Sequence, residues 1–180
     1  MMQEFMTYSS DKKEMYEEVR LQLVGLFEDC PHVIANLANA SAVLNEAMRD
    51  INWVGFYLMK SSGNNVYTVD KSDTGEEILV LGPFQGKAAC VEIRIGKGVC
   101  GTAVAEDRVQ LVKNVHDFPG HIACDAASNS EIVLPIHKNS KVIGVLDIDS
   151  PLIGRFDSAD QEGLERIVEV IEDMLCKNNM

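Results

Sequence analysis

The sequence predicts an α+β domain in which two amphipathic helices precede a run of short strands and a third long helix closes the chain. Three observations carry this. Apolar residues recur at steps of three and four near both ends of the chain. Between those ends they alternate, or gather in short aromatic and β-branched runs. Glycine, proline, asparagine and serine clusters separate the runs. Strands grouped together, rather than alternating with helices, point to a mostly antiparallel sheet with helices on one face. The chain has 180 residues, which suits one domain with a sizeable core. It shows no repeat, low-complexity tract or linker, so residues 1–180 are expected to form a single domain, with residues 1–10 a poorly ordered N-terminus.

The first helix is expected over residues 11–29, with Met15, Val19, Leu23, Leu26 and Phe27 on its buried face. Pro31 separates it from a second helix, where Ile34, Leu37, Ser41, Leu44 and Met48 mark one face. Ala38, Ala40 and Ala42 would permit close packing there. Strand signals follow at 53–59, 66–69, 77–81 and 91–95, of which the last alternates cleanly. Gly96-Lys97-Gly98 is a turn leading into a short helix over 99–106, and residues 110–112 form a further strand. Residues 114–130 are rich in Gly, Pro, Ser, Asp and Asn and are expected to form a long functional loop that carries Cys124. Segments 132–137 and 141–148 predict a hairpin around Lys138-Asn139-Ser140, and Pro151 ends its second strand. The last helix is expected to start with Asp157 or Ser158 as N-cap. Its apolar face is Leu164, Ile167, Val168, Ile171 and Leu175.

Hydrophobic residues at 46% and charged residues at 24% are ordinary for a globular protein. A net charge of −12 argues against nucleic acid and anionic membranes as main partners, since both favour basic surfaces. No basic stretch followed by an apolar run opens the sequence, and no apolar run is long enough to cross a bilayer. The expected location is therefore the cytoplasm. The five cysteines, at 30, 90, 100, 124 and 176, are too few and too dispersed for a disulfide-dense scaffold. In a reducing compartment a disulfide among them would be transient and catalytic. No Cys-x-x-Cys or His-x₃-His pair is present, and no metal is expected on the grounds of ligand spacing.

A single cysteine is first of all a packing residue. That reading is adopted for Cys176, on the last helix, and for Cys30, just before Pro31. Cys124 differs because polar loop surroundings keep a thiol accessible. Cys100 lies near the start of the short helix, where backbone N–H groups are expected to lower its pKa. Cys90 precedes a strand and is a candidate partner thiol. Asp147 and Asp149 stand two apart on one strand and share a face, with Leu146 and Ile148 on the other. Glu131, at the start of the preceding strand, is placed to meet them across the hairpin. Acids on an inward face are costly unless paired, protonated or bound to a ligand. The plain alternative is a solvated sheet face.

The stretches Asn-Leu-Ala-Asn-Ala-Ser-Ala (36–42), Asp-Ile-Asn-Trp-Val-Gly-Phe-Tyr-Leu (50–58) and Gly-Pro-Phe-Gln-Gly-Lys-Ala-Ala-Cys (82–90) resemble the free methionine-(R)-sulfoxide reductases, which are built on a GAF domain. So do residues 96–105 around Cys100, 121–135 around Cys124, and Ile-Gly-Val-Leu-Asp-Ile-Asp-Ser-Pro (143–151), with Gly-Arg-Phe at 154–156. The resemblance covers nearly the whole chain beyond its first turns. It implies a six-stranded antiparallel sheet with helices packed on one face and a loop-covered pocket on the other. It also implies thiol-dependent reduction of the free amino acid methionine-(R)-sulfoxide, with no bound cofactor. Residues 60–77 form a longer segment than the family's tight connection and depart from its pattern.

By the same resemblance Cys124 would attack the sulfoxide sulfur, and Cys90 or Cys100 would resolve the resulting sulfenic acid into a disulfide. Cys100 and Cys124 are also candidates to pair in a resting oxidised form. Thioredoxin would be the recycling dithiol, and a homodimer is implied. Glu131, Asp147 and Asp149 would be pocket acids. At least one would be kept neutral by its neighbours, to protonate the departing oxygen, and the remaining negative charge would meet the substrate ammonium. Trp53 and Tyr57 would line the site, with Trp53 against the S-methyl group; taken alone, Trp53 reads as core packing. Loop N–H groups are expected to meet the substrate carboxylate. Two other functions fit the same fold: a non-catalytic GAF sensor of a small ligand, and a redox sensor whose disulfide is the signal. A ligand sensor would gain little from three placed thiols.

Overall fold

The computed structural model describes residues 7–60, 77–120 and 127–177. Helices α1 (Lys12–Phe27) and α2 (Val33–Ala47) precede strands β1 (Trp53–Met59), β2 (Ile78–Gly86) and β3 (Glu92–Arg94). Helix α3 (Gly98–Glu106) then leads to β4 (Gln110–Val112), β5 (Ser130–Lys138), β6 (Lys141–Ser150) and the closing helix α4 (Ser158–Lys177). The strands form one six-stranded sheet in the order β3-β2-β1-β6-β5-β4, and every neighbouring pair is antiparallel. The strand signal at 66–69 and most of the long 60–77 segment lie outside the described residues. Of the expected loose N-terminus, residues 1–6 also lie outside. Tyr8 and Ser9 are tied to α1, through hydrogen bonds from the Tyr8 hydroxyl to Gln22 (2.6 Å) and from the Ser9 N–H to Glu18 (2.9 Å).

Period-two alternation sorts the sheet into two chemically different faces. Val54, Phe56, Ile132, Leu134, Ile136, Leu146 and Ile148 face α1, α2 and α4 and form the larger core with them. Trp53, Tyr57, Val133 and Val145 project to the other side, where they pack with Val99, Cys100 and Ala103 of α3. Three helices thus share one face, while α3 lies on the pocket side against β3, β4, β5 and β6. Two residues assigned to buried helical faces are turned outward: Leu26 is 40% exposed and Ile34 36%. Each helical residue advances about 100°, so their neighbours Phe27 and Val33 take the buried positions instead.

The expected hairpin turns on two residues. Asn139 (φ 51°) and Ser140 (φ 60°) are both left-handed, and Lys138 pairs with Lys141. A two-residue loop with both φ positive has the twist that adjoining strands need. A register shift between Ile136 and His137, whose partners are Gly144 and Val142, then brings Glu131 opposite Asp149 instead of Ile148.

Asp157 is the N-cap of α4, accepting from the N–H of Ala159 (2.9 Å) and Asp160 (3.1 Å). Asp160 reaches back to the Asp157 N–H at 3.0 Å, closing a reciprocal cap. The Asp160 side chain is fully buried, and it also accepts from the Tyr16 hydroxyl (2.9 Å), Lys12 Nζ (2.6 Å) and the Arg155 guanidinium (3.2 Å). It therefore joins α1, α4 and the β6–α4 connection at one point. Lys12 would keep Asp157 at 2.8 Å and Arg155 the Arg49 carbonyl at 2.9 Å, so Asp160→Ala would chiefly strip the buried Tyr16 hydroxyl of its acceptor and α4 of its reciprocal cap, at a cost of about 1–3 kcal/mol. A urea unfolding midpoint equal to wild type would reject this account.

His137 clamps α3 to α4. Its Nε2 lies 2.7 Å from Asp107, which caps α3, and its Nδ1 lies 2.9 Å from Glu172 of α4. Partial burial opposes the charged ring, but the two carboxylates outweigh it and raise its pKa. The clamp's contribution is therefore complete below the unfolded value of about 6.5 and is lost as pH rises through the folded value. Wild type is expected to lose stability relative to His137→Gln as pH rises from about 6.5 through the folded value, as measured by unfolding midpoints across that range.

Candidate active site

Register brings the acids together. Glu131 on β5 stands opposite Asp149 on β6, and Val133 stands opposite Asp147. On the other side of β6, Asp149 faces Trp53 and Asp147 faces Gly55. Glu131 and Asp147 are each only 6% exposed, and Asp149 is half-buried. The solvated-face alternative therefore fails for Glu131 and Asp147. Cys100 joins them from the first turn of α3, with its thiol 3.9 Å from Glu131 Oε1. Atoms of Cys100, Glu131 and Asp147 all lie within 4.8 Å of one another.

Burial dominates the electrostatics. It pushes the Glu131 carboxyl well above the usual carboxylate range, and the neighbouring charges of Asp147 and Asp149 push it further. Asp147 rises to about 6, chiefly through burial, with contacts to Cys100 and Glu131 restraining the rise. The Cys100 thiol is raised by burial first and then by Asp147 and Glu131. This reverses the expectation of a lowered Cys100 pKa. The helix N-terminus is present, but a fully buried thiol beside two carboxylates gains more from staying protonated than the helix dipole can offset.

Aromatic rings build one wall. Trp53 stacks on Phe84 at 5.3 Å and on Tyr57 at 5.9 Å between centroids. Its indole N–H donates to the Lys87 carbonyl (3.1 Å), and the Tyr57 hydroxyl donates to the Cys90 carbonyl (3.0 Å). The aromatic cluster thus holds the 87–90 segment beside the acids. Cys90 is itself disulfide-bonded, whereas Cys30, Cys100 and Cys176 form no disulfide. Cys124 lies outside the described residues. The role of Phe84 was missed in the sequence, although it sits in the Gly-Pro-Phe stretch; nothing in its spacing distinguishes a stacking partner from a strand residue.

Two glycines make room for Trp53. A Cβ at Gly55 would collide with the Phe84 side chain and come within 2.7 Å of the indole. Gly86 has φ 135°, and a Cβ there would lie 2.6 Å from the indole ring. Gly55→Ala is expected to cost about 1–3 kcal/mol by overpacking and to displace Trp53. The chain has one tryptophan, so its fluorescence reports the site alone. An unchanged emission maximum and unfolding midpoint would show that the wall tolerates the methyl group.

The curled sheet with its second, acid-bearing face is the architecture of a known class. A family model described as GAF domain matches residues 40–175. Within that class, the free methionine-R-sulfoxide reductase of Escherichia coli is 48% identical over 166 residues, covering 92% of each chain. The solved structure of the Neisseria meningitidis free methionine-R-sulfoxide reductase, in complex with its substrate, is 39% identical. It covers 98% of both chains with a TM-score of 0.85. The fRMsr of Staphylococcus aureus in complex with substrate is 50% identical, with a TM-score of 0.78 over 94% of this chain and 99% of that one. The chain belongs to the free methionine-R-sulfoxide reductase family of GAF-domain oxidoreductases.

Proposed function

We propose that this protein reduces free methionine-(R)-sulfoxide to methionine at the expense of two of its own thiols. The observation that carries the reading is the buried carboxylate pair Glu131 and Asp147, set beside the segment that ends in disulfide-bonded Cys90. The relatives named above bear the same activity in their names.

The reaction divides into three balanced steps. The Cys124 thiolate attacks the sulfoxide sulfur, the sulfur–oxygen bond breaks, and the oxygen passes to the thiol as a sulfenic acid while methionine leaves. A carboxyl of the acid cluster shields the negative charge developing on that oxygen by donating a proton. The Cys90 thiol then attacks the sulfenic sulfur, forming a disulfide and releasing water. A dithiol of the thioredoxin class restores both thiols by exchange. Cys90 is assigned as the resolving thiol because it is the disulfide-bonded cysteine, whereas Cys100 is a free, buried thiol against Glu131. Cys100 then belongs to the floor of the pocket.

Specificity follows from the charge of that floor. Neither Glu131 nor Asp147 has a lysine or arginine partner among the described residues; Glu131 holds its proton, and the negative charge that Asp147, raised to about 6, keeps at neutral pH suits the substrate's ammonium group. Methionine within a peptide lacks that group, and an amide in its place would leave the carboxylates unpaired. The Trp53 face offers the S-methyl group an apolar surface and helps to select the R epimer.

Turnover of free methionine-(R)-sulfoxide and of its S epimer with dithiothreitol tests the reading. Wild type is expected to reduce the R epimer alone, and Cys124→Ser to fall by at least about a thousandfold, as loss of a covalent nucleophile does. Cys90→Ser should keep a single turnover and lose recycling through thioredoxin. Activity retained in Cys124→Ser would move the nucleophile elsewhere. Absence of turnover in wild type would reject the reductase.

A further inference from the structure

We propose that Cys100, Glu131 and Asp147 form a site for one thiophilic divalent cation of the Zn²⁺ class, which inhibits the enzyme by occupying the place of the substrate ammonium. The binding half stands on geometry; the inhibition half rests on the reading of this pocket given above.

The three side chains come from three elements, α3, β5 and β6, and converge inside the protein. Each offers a ligand atom, and the three atoms lie within 4.8 Å of one another. Around a tetrahedral zinc ion, bonds of about 2.0–2.3 Å place neighbouring ligands roughly 3.3–3.8 Å apart. The Cys100 Sγ to Glu131 Oε1 distance of 3.9 Å is already close to that. Side-chain torsions alone can close the remainder.

A second observation distinguishes this cluster from an ordinary acidic patch. Asp147 is 6% exposed, and its Oδ1 is buried without a hydrogen-bond partner among the described residues. A carboxylate oxygen so placed is costly unless something positive meets it. A cation would meet all three groups at once and remove the mutual repulsion of the carboxylates. Binding displaces the Cys100 thiol proton and any carboxyl proton to solvent, with no change of oxidation state.

The donor set selects the ion. One sulfur and two carboxylate oxygens disfavour Mg²⁺ and Ca²⁺, which take oxygen ligands throughout. A thiolate with carboxylates suits Zn²⁺ and its analogues Co²⁺ and Cd²⁺. Three protein ligands leave a fourth position for water, as in zinc sites that exchange ligands. No spacing motif could reveal this site, because 31 residues separate Cys100 from Glu131. Occupation would place a divalent charge against both carboxylates and leave none for a substrate ammonium. Metal and substrate should therefore exclude one another.

The test uses the full chain with its Cys90 disulfide intact and Co²⁺ as a spectroscopic probe. One equivalent should bind with a thiolate-to-cobalt charge-transfer band and be displaced by Zn²⁺ but not by Mg²⁺ or Ca²⁺. Excess free methionine-(R)-sulfoxide should bleach the band. Cys100→Ser should abolish the band and weaken Zn²⁺, measured against a chromophoric chelator, by about a hundredfold, the upper end of what even outer-sphere changes cost. Asp147→Asn keeps the thiol and should weaken Zn²⁺ at least about tenfold, with circular dichroism verifying that both variants fold. A band that persists in Cys100→Ser, or affinities unchanged in both variants, overturns the site. Turnover by chelator-treated protein keeps the two readings apart. Turnover without cobalt binding rejects the metal site alone, whereas cobalt binding without turnover rejects the reductase reading and the inhibition with it.

Discussion

Two carboxylates and a thiol share a dry space in this protein, with no lysine or arginine paired to either carboxylate among the described residues. Water is the solvent that Glu131 and Asp147 would prefer, and each is only 6% exposed. Desolvation of even one ionised carboxylate costs several kcal/mol, so the cluster responds by holding protons. Its chemistry follows from that single condition. Groups that resist ionisation can donate protons, and groups that repel one another attract any cation small enough to enter.

Such a cluster is tolerable only because the rest of the fold is conventional. The helix-side core of α1, α2 and α4 against the sheet is built mainly from apolar side chains, and its buried charge, Asp160, is surrounded by donors. The contrast is instructive. Asp160 and Asp147 are both buried aspartates, but one accepts from a lysine, an arginine and a tyrosine, while the other has an oxygen with no hydrogen-bond partner among the described residues. The first holds the architecture together; the second contributes no such tie.

The sheet transmits this division. A one-residue slip of β6 against β5 would send Leu146 and Ile148 into the pocket and Asp147 into the apolar core. The turn at Asn139-Ser140, the register shift at Ile136/His137 and the double pairing of β6, with β5 and β1, together set the register and guard against such a slip. Aromatic stacking does the same for the adjoining segment. Trp53, Tyr57 and Phe84 fill the space that Gly55 and Gly86 leave open, and the hydroxyl of Tyr57 fixes the backbone carbonyl of Cys90.

The sequence by itself determined the element order, the two-faced strands and the identity of the acids, because periods of two and 3.6 are local properties that follow from backbone geometry. The placement of Asp147 and Asp149 opposite Leu146 and Ile148 was legible in the same way. Helix rims were not. Leu26 and Ile34 fit a spacing pattern but face solvent, since spacing defines an angular range and only a neighbouring element decides which edge of it is covered. The placement of α3 was decided by tertiary packing too, and with it the character of Cys100. Its position near a helix start suggested an acidified thiol, yet burial beside Glu131 and Asp147 makes it a reluctant acid. Electrostatic environment is a sum over groups distant in the chain, so the residues with chemistry can be read from sequence, while their protonation and their partners exist only once the sheet has closed around them.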